Sequence, residues 1–157
     1  MMERFLRWLT PDRSDFLFRL FFSLIFLGVG AEHLFADDLL QRLMPLWVPA
    51  KRLVSIACGI ILISGGAMVL IGYQLRKAAV LLGAFLIMVT AAVHLPALLV
   101  TPSFVTPESS WLWTVLQRSN FAKNLCLLGV CFYLYNYTPG KYSWTFWQQN
   151  RQRQRED

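Results

Sequence analysis

Four long apolar stretches most constrain how this chain of 157 residues folds. They run from about Phe16 to Ala36, Leu53 to Tyr73, Ala78 to Val100 and Phe121 to Tyr137. A helix needs about 20 apolar residues to cross a bilayer, and the first three stretches reach that length, while the fourth is the shortest. The alternating polarity that marks the strands of a membrane barrel does not occur in them. The pattern therefore predicts an all-α fold, a bundle of four transmembrane helices.

The composition is typical of a membrane protein. Hydrophobic residues make up 56% of the chain and charged residues only 15%, whereas a soluble domain carries about a quarter charged residues. The 6 Trp residues suit the aromatic belts at membrane surfaces. The net charge of +6 comes from Lys and Arg that lie mostly outside the apolar stretches, and no nucleic-acid-binding motif accompanies them. We expect the lipid bilayer as a partner, and no nucleic acid.

The placement of Lys and Arg predicts the topology. Four spans put both termini on one side of the membrane, and Lys and Arg favour the cytoplasmic side. Ten of them fall on the side of the termini: Arg4, Arg7, Arg13, Arg19, Arg76, Lys77, Lys141, Arg151, Arg153 and Arg155. Five fall on the other side: Arg42, Lys51, Arg52, Arg118 and Lys123. We therefore predict a multi-pass protein of a bacterial-type plasma (inner) membrane, with both termini cytoplasmic.

The chain divides into three segments. Residues 1–15 are expected to form a cytoplasmic basic N-terminus, residues 16–137 the four-helix membrane domain, and residues 138–157 a cytoplasmic basic tail. Two longer outer loops, Asp37 to Arg52 and Thr101 to Asn120, contain Trp and Pro residues. Such loops are expected to be ordered on the membrane surface.

Five polar or ionisable residues interrupt the apolar stretches, and the predicted topology places all of them toward the outer end. They are Glu32, His33, His94, Lys123 and Asn124. Ionisable side chains in hydrocarbon cost about 2.5–3.5 kcal/mol each on insertion scales unless they meet a partner or water. Several such side chains at one depth indicate a single polar site.

Glu32 and His33 are the candidate catalytic residues. A carboxylate beside an imidazole can take up the proton released when a quinol or a thiol is oxidised. Adjacent residues of a helix point about 100° apart, so the two side chains are not both aimed at one point. Glu32 could equally pair with Lys123 in a structural ion pair that joins the first and fourth helices. Both interpretations stay open at this stage.

His94, Lys123, Asn124 and Trp47 are the candidate ligand-binding residues. Lys123 and Asn124 would hold an anionic or carbonyl oxygen, His94 would hydrogen-bond a ring, and Trp47 would lie in a lid over the site. No metal is assigned, because the two histidines lie on different helices without the spacing of a metal-binding motif.

Six short motifs follow one another along the chain. They are Gly28-Val-Gly-Ala-Glu-His33, Pro45-Leu-Trp-Val-Pro49, Ser64-Gly-Gly66 with Gly72, Arg76-Lys-Ala-Ala79, His94-Leu-Pro96, and Lys123-Asn-Leu125 before Gly129. In this order they resemble the DoxX family of small four-helix membrane proteins, over roughly Arg19 to Tyr135. The resemblance implies the fold and the membrane location, and says less about chemistry.

The resemblance also implies a redox context. The DoxX family includes the small subunit of an archaeal thiosulfate:quinone oxidoreductase and members tied to thiol and oxidative-stress redox complexes. Many relatives carry an acidic residue just before the glycine pair of the second span. This chain reads Ile60-Ile-Leu-Ile-Ser64 there, so its carboxylate is supplied by Glu32 instead.

These observations give one leading hypothesis and two alternatives. The leading hypothesis is a membrane redox accessory or oxidoreductase subunit that binds a quinone or a small sulfur compound at the outer polar site, with quinone as the candidate cofactor. It would act with redox partner proteins or as a homo-oligomer. The alternatives are a non-enzymatic structural or docking subunit, and a small lipid- or solute-binding carrier. The sequence leaves open whether the chain is catalytic and whether Cys58, Cys126 or Cys131 is redox-active.

Overall fold

The computed structural model describes residues 8–102 and 104–156, of which 81% are helical. None of these residues lies in a strand, which confirms the all-α prediction. The helices are α1 (Pro11–Phe35), α2 (Asp38–Leu43), α3 (Lys51–Ile71), α4 (Leu75–Val89), α5 (Leu95–Leu99), α6 (Ser110–Tyr135) and α7 (Trp144–Glu156). A π-helical turn, Thr90–His94, joins α4 to α5, and a 3-10 turn, Pro107–Ser109, precedes α6. Arg4 and Arg7 of the predicted basic N-terminus lie outside the described residues.

Three helical segments of the described chain are long and apolar enough to cross a membrane. They are Pro11–Phe35, Lys51–Ile71 and Leu75–Leu99. The helix α6 is as long as α1, but it carries polar and charged residues from its start to its middle, among them Gln117, Arg118, Asn120, Lys123 and Asn124. Three of the four predicted spans are thereby supported, and the crossing by α6 stays a prediction.

The predicted first residue of the fourth helix was wrong. Ser110, rather than a residue near Phe121, begins α6, so Trp111, Trp113 and Arg118 lie in a helix and not in the second outer loop. The polar segment that precedes Phe121 contains no helix-breaking residue after Pro107, which sits where a helix start tolerates proline. The length of an apolar stretch predicts only the part of a helix that suits lipid. Here α6 begins eleven residues before its apolar stretch.

The helices pack in a chain of neighbours, with α1 against α3, α3 against α4 and α4 against α6. Glycines allow two of these close approaches. A Cβ added to Gly59 would lie 2.9 Å from the carbonyl oxygen of Gly30, and one added to Gly65 would lie 2.6 Å from the Leu82 side chain. Between helices in lipid, packing of this kind replaces the hydrophobic effect as the main attraction. The glycine pair Gly65-Gly66 therefore has a packing role.

The start of α1, the turn between α3 and α4, and residues 137–145 meet at one end of the bundle, called here the termini end. The buried Arg19 donates to Asp15, to the Leu70 carbonyl at 2.5 Å and to the Tyr142 carbonyl at 2.8 Å. One guanidinium thus connects three separate parts of the chain, and its charge can be buried because a carboxylate and two carbonyl oxygens accept its hydrogen bonds.

The turn between α3 and α4 also fixes the C-terminal segment. Gly72 has φ +67°, and a Cβ there would lie 2.5 Å from the Ser143 Cβ, so only glycine fits. The Gly72 carbonyl accepts from both the amide (3.3 Å) and the hydroxyl (2.6 Å) of Thr145. The predicted polar tail is consequently anchored at its start and continues as the helix α7.

Candidate functional site

The five predicted residues do not form one cluster: His33, His94 and Asn124 lie at two helix interfaces, while Glu32 and Lys123 are exposed. His33 belongs to the α1–α3 interface, where its Nδ1 lies 3.0 Å from Ser55 Oγ. The Ser55 hydroxyl donates to the His33 carbonyl oxygen at 3.1 Å, so its proton is used and His33 Nδ1 is the donor of the first bond. In the neutral ring, Nε2 is then an acceptor. Both side chains are buried, and together they join α1 to α3.

A second polar cluster lies where α6 crosses the π-helical turn, and we call it the polar seam. It consists of Thr90 and His94 from the turn, with Gln117 and Asn124 from α6. His94 Nδ1 lies 3.1 Å from Gln117 Oε1, and Asn124 Nδ2 donates to Thr90 Oγ1 at 3.1 Å. Gln117 and Asn124 are buried, while Thr90 and His94 are half-buried. The seam therefore brings together two predicted residues, His94 and Asn124, and two that sequence reasoning missed.

The π-helical turn that builds the seam follows from Pro96. Proline has no amide hydrogen, and its ring collides with the carbonyl four residues earlier, which belongs to Ala92. One wider turn removes this conflict, and the Leu95 amide accordingly donates to the Thr90 carbonyl five residues back. The short motif His94-Leu95-Pro96 was the signal in the sequence for this distortion. Single π-turns of this kind recur at functional sites.

The seam offers both donors and an acceptor to a ligand. Because His94 Nδ1 donates to an amide oxygen, the Nε2 of the neutral ring carries a lone pair. Thr90 Oγ1 accepts from Asn124, so the Thr90 hydroxyl proton remains available as a donor. Within the described part of the chain, neither that proton nor the Gln117 amide nitrogen has a hydrogen-bond partner. A carbonyl oxygen and a hydroxyl group could both be recognised here.

Glu32 and Lys123 do not form the ion pair that was considered for them. Both side chains are exposed, and the Lys123 Nζ donates to Asn120 Oδ1 on its own helix at 3.0 Å. The Glu32 carboxylate has no hydrogen bond or ion pair with any described residue. The expectation that Glu32 and His33 point in different directions is confirmed, because Glu32 is exposed while His33 is buried.

Trp47 lines a cavity of about 250 Å³ between the loop after α2, the π-helical turn with α5, and the start of α6. Its lining is mostly apolar, includes Trp113, and has Arg42 as its charged member. None of the five predicted polar residues lines it, although Val93 and Pro96 on either side of His94 do. The predicted lid is therefore part of a separate, neighbouring cavity.

An apolar groove of about 420 Å³ runs between α4 and α6. Its lining includes Ala79, Gly83 and Ile87 from α4, and Leu128, Cys131 and Tyr135 from α6. Thr90 follows Ile87 by three residues and Asn124 precedes Leu128 by four, so each helix carries the groove into the polar seam within about one turn. A surface of this shape suits a molecule with a polar head and an apolar tail.

An ion pair at the end of α1 was missed by sequence reasoning. Asp37 is only 6% exposed and lies 2.6 Å from Arg52 Nη1, and Arg52 also donates to the Leu34 carbonyl. The guanidinium hydrogen bond lowers the pKa of Asp37 below its ordinary value of 3.8. Asp37 Oδ2 is inaccessible to solvent and has no hydrogen-bond partner among the described residues. The signal in the sequence was an acidic residue after one span and a basic residue at the start of the next.

The three cysteines are all free thiols in different surroundings. Cys131 is buried in the core and lines the apolar groove, Cys58 is half-buried, and Cys126 is exposed. Cys131 thus acts as a small apolar side chain between α4 and α6.

Comparison with known protein families gives one match. The family model DoxX matches residues 14–95, which is more than half of the chain. The chain belongs to the DoxX family. No curated protein and no solved structure matches the sequence.

The DoxX match covers most of α1 and all of α3, α4 and the π-helical turn. It therefore includes His33, Ser55, Thr90 and His94, but it ends before α6. Gln117 and Asn124, the two residues that α6 contributes to the polar seam, lie beyond the matched residues. The family match therefore gives no information about them. The resemblance deduced from the short motifs is confirmed for this DoxX protein, as is its character as a multi-pass membrane protein.

Proposed function

We propose that this DoxX family member is a membrane redox accessory subunit that binds an isoprenoid quinone between α4 and α6. The head group would lie at the polar seam, and the tail would lie in the apolar groove. The protein would reside in a bacterial-type plasma membrane with both termini cytoplasmic. A redox partner protein would exchange electrons with the quinone, and this chain would supply the binding site and proton-exchanging groups.

The continuity of the apolar groove with the polar seam carries this proposal. The groove has a volume of about 420 Å³ and an almost wholly apolar lining, and the seam residues Thr90 and Asn124 lie within about one helical turn of its lining residues Ile87 and Leu128. An isoprenoid tail needs such a surface, whereas a small sulfur compound does not. Of the two ligand classes suggested by the sequence, the geometry therefore favours the quinone.

The hydrogen-bonding groups of the seam fit both redox states of a quinone head. The Thr90 hydroxyl and the Gln117 amide can donate to the carbonyl oxygens of the oxidised form. His94 Nε2 can accept from a hydroxyl of the reduced form and can hold the proton that this hydroxyl loses on oxidation. His94 would take the proton-exchange role first considered for Glu32 and His33, which lie on the other pair of helices.

A structural role for the same residues is the second candidate. Each seam side chain is hydrogen-bonded to the opposite helix, His94 to Gln117 and Asn124 to Thr90. Polar bonds between membrane helices are worth about 0.6 kcal/mol on average and stabilise many bundles without any ligand. In that case the DoxX protein would be a non-enzymatic subunit that docks a partner.

Binding of quinones to the purified protein in lipid nanodiscs separates the two candidates. Ala84 is exposed and lines the groove, so Ala84→Phe should fill the groove and weaken binding of a quinone with several isoprenoid units at least 10-fold. A tail-free quinone should bind that variant as it binds the wild type. His94→Ala should weaken the binding of both quinones. Val80→Ala is the matched control in the groove lining and should leave the binding of both unchanged. If the wild-type protein shows no saturable binding of either quinone, the quinone proposal is wrong and the structural role is the remaining candidate.

A further inference from the structure

Glu32 and Lys123 are two exposed, opposite charges on different helices of the bundle. The carboxylate of Glu32 on α1 has no hydrogen bond or ion pair with the described residues, while the Lys123 ammonium group on α6 donates only to the neutral Asn120. A charged side chain on a lipid-facing helix surface is costly, and such residues usually meet a partner. Within one copy of the chain, neither charge is neutralised.

The two charges lie at similar heights in the bundle. The hydrogen bond of 2.6 Å from the Tyr137 hydroxyl to Asp15 puts the start of α1 level with the residues just after α6. Glu32 lies about 26 Å along α1 from Asp15, and Lys123 lies about 18 Å along α6 from its last residue, Tyr135, so their heights differ by about one to one and a half helical turns. Two copies inserted in the same membrane would therefore bring Glu32 of one and Lys123 of the other to nearly the same depth.

The surface around Glu32 suits a neighbouring helix. Phe21, Leu24, Gly28 and Phe35 share its face of α1, and the three large side chains among them are exposed. Gly28, one turn before Glu32, has no atom within 4 Å of the position that a Cβ would take. Small residues on membrane helices let a second backbone approach closely. An apolar face with one open position and one charge matches a helix that carries the opposite charge.

We propose that this face binds a second copy of the chain, with Glu32 of one copy paired to Lys123 of the next. Lys123 and the neighbouring Cys126 are both exposed on α6, so the ammonium group can be reached from outside the bundle. A closed cyclic arrangement, of which a two-fold dimer is the smallest, satisfies every copy of both charges. The complementary charge is carried by the chain itself, at the right depth, and no other protein is needed to supply it.

Charge reversal tests the interface, with native mass spectrometry of nanodisc or detergent samples as the measurement. Glu32→Lys and Lys123→Glu, each alone, should place like charges together and weaken assembly at least 10-fold. The double variant should assemble again. An equimolar mixture of the two single variants should form mixed oligomers, because each variant then presents the charge that the other needs. His94→Ala should leave assembly unchanged, since the interface does not depend on the proposed quinone site.

The mixing experiment distinguishes pairing between copies from pairing within one copy. If Glu32 and Lys123 pair within a chain, the double variant recovers stability but the mixture of single variants gains nothing, and the proposal is overturned. A wild-type protein that is monomeric in nanodiscs overturns it as well.

Crosslinking keeps the test decisive if a reversed variant folds poorly. In a chain without its native cysteines, Glu32→Cys mixed with Lys123→Cys should give a disulfide between copies under mild oxidation. Leu24→Cys, which lies on the same face two turns lower, is the matched control and should crosslink far less. Equal crosslinking of the two positions would contradict the proposed register.

Discussion

Arg19 and Asp15 lie one turn apart on α1 and form the only ion pair in the described part of the chain in which both side chains are buried. The Nη2–Oδ2 distance is 2.9 Å, and the exposed fractions of the side chains are 0% and 5%. Asp15 also accepts from the Tyr137 hydroxyl at 2.6 Å and from the Gly140 amide at 3.1 Å. The pair therefore ties the start of α1 to the segment that follows α6.

Neutralising one member of this pair should destabilise the protein strongly. Asp15→Asn leaves the Arg19 charge buried without its counter-charge, and we expect a loss of about 3–5 kcal/mol in the free energy of unfolding. Arg19→Gln should have an effect of the same order, because the carboxylate is then left uncompensated. The double variant should lose less than the sum of the two single losses, since the partners act as a unit. Unfolding of the detergent-solubilised protein by heat or by denaturing detergent measures all three.

The matched control is the pair between Asp12 and Lys141, one turn nearer the chain terminus. Their side chains are 33% and 50% exposed, and the Nζ–Oδ2 distance is 3.1 Å. Asp12→Asn should change stability little, because exposed ion pairs are screened by water and salt. If Asp15→Asn proves as stable as this control, the buried network does not hold the termini end together.

The fold could be predicted from the sequence where apolar length decides it, and not where distant partners decide it. The three apolar helices begin and end within a few residues of the predicted stretches. Arg19, by contrast, was counted only among the basic residues that predict the topology. Its acceptors at Leu70 and Tyr142 are 51 and 123 residues away, so no local pattern could reveal that it is buried.

The candidate site could be predicted in its residue types but not in its pairings. The interrupting residues His33, His94 and Asn124 do make polar contacts between helices. Their partners Ser55 and Gln117 went unnoticed, because a serine is unremarkable in a span and Gln117 was assigned to a loop. Which helix faces which is a property of the packed bundle, and the spacing of charges along the sequence does not encode it.

The Asp37–Arg52 pair should give the protein a specific sensitivity to acid. The pKa of Asp37 is lowered in the folded state, so its stabilising contribution is complete above the ordinary value of 3.8 and is lost as the pH falls through the lower folded value. Asp37→Asn removes this term. The stability difference between wild type and variant should therefore be constant near neutral pH and should shrink as the pH falls below 3.8.

Asp38 provides the control for that experiment, since it is exposed and adjacent to Asp37. Asp38→Asn should leave the wild-type acid profile essentially unchanged when unfolding is followed across the same pH range. A difference between wild type and Asp37→Asn that stays constant down to the acid limit would show that the carboxylate charge does not stabilise the end of α1.

The topology provides the last prediction. Reporter fusions before Arg4 and after Asp157 should both be cytoplasmic, and a tag inserted near Glu108 should be accessible from outside. The structure brings the start of α1 and residues 137–145 to one end of the bundle, and ten of the fifteen Lys and Arg residues belong to that side by the predicted topology. An even number of crossings requires α6 to span the membrane despite Arg118 and Lys123. A tag near Glu108 that is protected while both termini report the cytoplasm would mean that α6 does not cross as proposed, and the polar seam would then lie at a different depth.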